Sequence, residues 1–339
     1  MEITERQRQT AVAPVLPLLR VQALSHLPAW AFGLLCGGAM FSLLIVPVLV
    51  LEMSTVGALE ILGNALFFGL SVSIVAGATG SVIKGAERDL LQIRGVVDLS
   101  DEEFECLTRC LSRQKTSTGL LLLTLGIFFG GLHNHLLGQY QNVMPFLVTQ
   151  TSATFLMWVI MMAVLPKITE NAMIFSRLGS AAKPDLLRPS RHAAFGAAAL
   201  RPAVFLIGTI CMYGFLLLGD NDPFDQGVWI GIAVSFVTLV GIVVFPLMGI
   251  RVRIRETRQE SLAALDARIE SLDIGDVANA SVKVMDEMDT VLDMRERVAR
   301  APGWPLDLAG VRRILLYIVL PPLTWAAAAI VEMLIDSAL

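Results

Sequence analysis

Uncharged apolar runs recur along the chain near residues 28–51, 61–83, 118–138, 143–166, 202–219, 228–250 and 314–331, and charge returns between them. A hydrocarbon core about 30 Å thick takes about 20 apolar residues in a helix, whereas membrane barrels alternate over short segments. The pattern therefore predicts an all-α, polytopic helical membrane protein of about seven spans. The first six runs pair as three hairpins, and the seventh carries Pro321 and Pro322, which predict a kinked or re-entrant final segment. The first run is too long for a secretory signal and follows a charged leader with no obvious small-residue cleavage site.

Four regions follow: a leader over 1–27, a six-span bundle with helical connections over 28–250, a helical hairpin over 251–311 and a final hydrophobic segment over 312–339. After the second run, Ser100 and Glu103 have capping-box spacing, which predicts a helix from Asp101 to about Arg113. Leu262, Leu265, Ile269 and Leu272 form one apolar stripe; Val277, Val284, Met288, Val291 and Val298 form another beyond the break at Asp273–Asp276. Two such stripes fold back as a hairpin and bury each other; meeting a second subunit's helix is the alternative.

Composition agrees: 55% of residues are apolar and 17% charged, with a mean hydropathy of +0.67. Charge adds orientation. All 26 Lys and Arg fall in the leader, after the second and fourth runs, at the start of the fifth, or between Arg251 and Arg313. The opposite connections carry only acidic charge: Glu52 and Glu60, then Asp220, Asp222 and Asp225, then Glu332 and Asp336. Cations resist translocation, so the N-terminus is expected in the cytoplasm and the C-terminus outside. Cys36 and Cys211 lie in spans and Cys106 and Cys110 in a cytoplasmic segment, so no disulfide is expected.

Candidate chemistry is sparse. The first six runs hold no acidic or basic residue in their interiors, which argues against a proton-coupled pump. Thr149, Gln150, Ser152 and Thr154 make the fourth run the most polar; these groups line a water-filled path or hydrogen-bond between helices. Asp220, Asp222 and Asp225 form an outer acidic cluster without the spacing of a calcium loop, and read best as a solvated turn. Arg251, Arg253 and Arg255 stand where a helix leaves the membrane, placed to anchor topology or meet anionic lipid headgroups. His133 and His135 point to nearly opposite sides of a helix, so one ion cannot join them. Cys106 and Cys110 are one turn apart but lack a second ligand pair, so no metal site is expected. Gly33 and Gly37, Ser73 and Gly77, and Gly126 and Gly130 have the small-xxx-small spacing of close helix packing, explained within one bundle. No phosphate-cradling loop, nucleophile elbow or kinase signature is present, so neither an enzyme nor a cofactor is expected.

Three stretches carry a resemblance: Phe175 to Arg188, Phe245 to Arg255, and Trp304 to Asp307 continuing through Arg312, Pro321, Trp325 and Glu332. Together they resemble a group of bacterial multi-pass membrane proteins with a cytoplasmic helical insertion before the last hydrophobic segment. The resemblance implies a bacterial inner membrane and no activity. Two functions are consistent with these features: a homo-oligomeric channel or passive conduit for a small ion or solute, or a scaffold or signalling component whose hairpin binds a soluble cytoplasmic partner. The expected partners are the lipid bilayer, a second copy and such a soluble protein, with no nucleic acid.

Overall fold

A computed structural model describes residues 21–22, 24–50, 58–97, 99–112, 116–136, 146–217, 226–272 and 282–305, with scattered positions from 312 to 330. These residues form α1 (Ala29–Val50), α2 (Ala58–Ile93), α3 (Asp101–Ser112), α4 (Thr116–Leu136), α5 (Phe146–Ser180), α6 (Ala193–Met212), α7 (Gln226–Ser271) and α8 (Val282–Arg300). Short 3-10 turns, Pro189–His192 and Tyr213–Leu217, flank α6. Among the described residues there is no strand, only one bridge between Val97 and Ala182. Six helices among the described residues are long and apolar enough to cross a membrane, at Ala29–Val50, Leu59–Ile93, Ser117–Leu136, Thr149–Ser180, Pro189–Leu216 and Ile232–Ser271. The protein is an all-helical membrane protein.

The helices outrun the apolar runs. With 36, 35 and 46 residues, α2, α5 and α7 each exceed 50 Å at about 1.5 Å per residue, well beyond the roughly 30 Å hydrocarbon core. Their extra turns lie at the end that carries the Lys and Arg residues. There Leu90, Ile93, Phe104, Leu111, Phe175, Leu178, Phe195, Leu247 and Ile250 bury one another in an apolar core. Hydropathy scans register only the membrane portion of such a helix, because charge on one face hides the apolar stripe on the other.

Within the membrane, α2 and α5 are central. Contacts join α1 to α2 and α5, α4 to α5, α6 to α2, α5 and α7, and α5 to α7. The small residues sit at these crossings. A Cβ on Gly33 would lie 2.5 Å from the Ser73 carbonyl oxygen and 2.9 Å from the Gly77 backbone, so the paired motifs on α1 and α2 pack on each other. On α4, a Cβ at Gly126 would meet Val159 at 2.8 Å and one at Gly130 would meet Phe155 at 2.7 Å. The motifs are thus occupied within the bundle.

The expected helix after the second span is α3. Ser100 Oγ accepts from the Glu103 amide at 3.3 Å, and the Ser100 amide donates to Glu103 Oε2 at 3.1 Å, closing the capping box. Phe104 and Leu111 are its buried face, while Asp101, Glu102, Glu105 and Arg109 are exposed. Ser100→Ala removes one acceptor at an exposed cap and should cost about 1 kcal/mol, readable as a lower melting temperature in detergent.

The hairpin is present in its described part. α7 is continuous from the membrane to Ser271, and α8 packs back on it. Leu262, Leu265, Ile269, Val284, Met288 and Val291 are half-buried and Val298 is buried, so the two stripes face each other. Arg295 with Asp266 at 2.6 Å and Arg268 with Glu287 bridge the pair. Residues Asp273–Asp276 and Val277 lie outside the described residues. So does most of the final segment, but Leu320 and Trp325 pack beside Ile207, Ile210 and Leu239, and Trp325 Nε1 donates to the Ile210 carbonyl at 3.4 Å.

Candidate functional site

Where α2, α5, α6 and α7 meet, the bundle is not filled. A cavity of about 90 Å³ lies between them, walled mainly by Val75, Val82, Met157, Met161, Leu206 and Ile242. Polar groups punctuate this wall: Thr79, Lys167, Asn171, Thr209, Tyr213 and Ser235. A second space of about 20 Å³ adjoins it, sharing Val82, Ile168, Asn171, Pro202 and Ile242 and reaching Ala198 and Arg201.

Two prolines alter the helix backbone beside this space. Pro202 in α6 and Pro246 in α7 have no N–H to donate, so the carbonyls of Ala198 and Ile242 receive no bond from the fourth residue ahead. Both residues border the smaller space. Interrupted ladders also bend helices, which loosens the packing of neighbours.

The polar groups differ in what they offer. Thr79 Oγ1 donates to the Val75 carbonyl at 2.8 Å and Thr209 Oγ1 to the Phe205 carbonyl at 3.1 Å, so their protons are used and their lone pairs remain. Tyr213 and Ser235 hydrogen-bond to each other. Lys167 is 2% exposed, donates to the Cys110 carbonyl and pairs with Glu170 at 2.7 Å. Arg201 grips Asp89 with two bonds, 2.5 and 3.1 Å long. Both cations at this site are therefore neutralised. Asn171 is the exception: 6% exposed, it has neither its amide nitrogen nor its oxygen in a hydrogen bond, and it lines both spaces.

The Arg201 side chain of the Asp89–Arg201 pair lies across α2 at Gly85, where a Cβ would overlap its guanidinium. Sequence reasoning placed Arg201 at a span end but missed Asp89, Asn171 and Lys167 as a group. Asp89 and Arg201 are 112 positions apart, and no local pattern links them. The available signal was an acid at Asp89 on the same α2 face as Val82, Ala86, Leu90 and Ile93.

The residues singled out from sequence lie elsewhere. Thr149, Gln150, Ser152 and Thr154 sit toward the other end of α5, and none of the four borders the cavity. Thr149 and Thr154 are buried, Ser152 is exposed, and Gln150 Nε2 lies 3.5 Å from Asn64 Oδ1 across to α2. Nearby, Asn134 Nδ2 reaches the Thr151 carbonyl at 3.5 Å, while Gln150 Oε1, Thr151 Oγ1 and Thr154 Oγ1 are buried without a hydrogen-bond partner. Asp220, Asp222 and Asp225 lie outside the described residues. Arg251 is exposed with its guanidinium 4.2 Å above the Trp304 ring, Arg253 pairs with Glu256 and Glu260, and Arg255 is exposed. His133 packs edge-on against Trp158 while His135 is exposed. Cys110 is half-buried, and burial, with the neighbouring Cys106, pushes its thiol up from the ordinary range, away from the reactive thiolate. Among the described residues no three His, Cys, Asp or Glu side chains converge as metal ligands.

No family model, curated protein or solved structure matches this chain.

Proposed function

We propose that the protein is a passive conduit for a small solute in a bacterial inner membrane, and that the solute passes through the cavity between α2, α5, α6 and α7. The observation that carries this reading is the unpartnered, buried Asn171 at the junction of two spaces inside a membrane bundle. A bundle meant only for anchoring gains nothing from an orphaned amide, which costs stability. In this reading the N-terminus is cytoplasmic, the final segment is a seventh crossing beside α6, and the Asp89–Arg201 pair closes the cytoplasmic end of the route. Reconstituted protein should pass a small solute faster than empty vesicles do. Equal rates for every solute tried would remove the proposal.

A second reading has its own observation. Among the described residues α8 packs on α7, and Val282, Met285, Leu292 and Met294 on it remain exposed. Such a projecting hairpin suits a scaffold for a soluble partner. Replacing residues 262–294 with a short linker should then abolish co-purification of that partner while membrane insertion persists.

A further inference from the structure

We infer that the solute is a small neutral molecule of the primary amide type, such as urea or acetamide, held by Asn171. The inference rests on the conduit reading above and narrows it.

Size sets the first limit. A cavity of about 90 Å³ is smaller than the roughly 150 Å³ that accommodates the six carbons of benzene, so it suits a solute of about four heavy atoms or a few waters. Charge sets the second. Lys167 and Arg201 are paired with Glu170 and Asp89, and the rest of the wall is largely apolar, so an ion would shed its hydration without finding a counter-charge.

Hydrogen-bond polarity sets the third limit. Thr79 and Thr209 have spent their protons on their own helices and can only accept. Beside the adjoining smaller space, the Ala198 and Ile242 carbonyls have lost their helical donors to Pro202 and Pro246. Asn171 adds one more acceptor and the free N–H donors beside it. The complement is a molecule with several N–H donors and a single carbonyl, in which donor and acceptor sit side by side. A primary amide or urea closes a two-bond ring with the Asn171 amide and leaves N–H groups for the surrounding acceptors.

The test uses the full chain in liposomes and radiolabelled urea. Uptake should exceed that of empty vesicles, and acetamide should compete where N,N-dimethylacetamide, which has lost its donors, does not. Asn171→Leu should lower urea uptake about tenfold or more, since the solute loses an unpartnered group that both donates and accepts. Asn171→Gln should restore part of it. Thr209→Val, which keeps shape but removes an acceptor, guards against a folding defect and should lower urea uptake several-fold. Urea uptake unchanged in both variants, competition by dimethylacetamide equal to that by acetamide, or competition by methylammonium would overturn the amide assignment. Osmotic water flow without urea uptake would likewise overturn it and leave the conduit standing, whereas no flow of any kind would sink the conduit as well.

Discussion

Replacing Gly249 with valine should prevent accumulation of folded protein, the largest effect expected of any single substitution here. Gly249 lies where α7 crosses α5, and a Cβ there would penetrate the Ser176 carbonyl oxygen and stand 2.7 Å from its carbon and 2.9 Å from the Ser180 amide nitrogen. All three are backbone atoms, so no rotamer change relieves the overlap. The reciprocal position is as tight: a Cβ on Gly179 would lie 2.9 Å from Ile250 Cβ and 3.0 Å from its Cα. Overpacking usually costs about 1–3 kcal/mol, and prying two helices apart belongs at or above the top of that range. Even Gly249→Ala should lower the melting temperature sharply in detergent, while Gly38→Ala, where a Cβ meets nothing within 4 Å, should be nearly silent. Equal melting temperatures for the two alanine variants would show that the α5–α7 crossing is not as described.

The second large effect concerns the buried ion pair, and it is asymmetric. Asp89 is 4% exposed at its side chain and Arg201 27%. Removing Arg201 strands a carboxylate that water cannot reach, whereas removing Asp89 leaves a guanidinium that can still turn toward solvent. Breaking a buried pair costs about 3–5 kcal/mol when the remaining charge stays buried. Arg201→Leu should therefore approach that loss, Asp89→Leu should fall short of it, and the double variant should recover most of the stability because an apolar pair of similar volume often replaces an ion pair at little cost. Chemical denaturation of the four proteins in detergent measures the cycle. Additive losses in the double variant would mean that the two side chains do not act together.

The membrane helices and the capped helix at Asp101 were legible in the chain because their signals are local: an uncharged run, and a Ser and Glu three residues apart. The hairpin was legible for the same reason, since Leu262 to Leu272 repeat at helical spacing on a charged background. The cytoplasmic extensions of α2 and α5 were not, because helix propensity continues where hydropathy stops. The cavity was least visible. Thr79, Thr209 and Asn171 each look like ordinary polar residues that bond within their own helices, and two of the three do. Their convergence is set by which faces of four helices meet, and no local pattern records that. Thr149 through Thr154 cluster in sequence but do not border the space.

Substituted-cysteine accessibility addresses the interior cavity most directly. In a background with Cys36, Cys106, Cys110 and Cys211 replaced, single cysteines would be placed at Val75, Asn171 and Thr209 on the cavity wall and at Val237, which is 74% exposed on the outer face of α7. A small, water-soluble thiosulfonate reagent should modify the three wall positions in intact vesicles and leave Val237→Cys unmodified in lipid. Wall positions as silent as Val237, or Val237 reacting ahead of them, would contradict a water-filled space within the bundle.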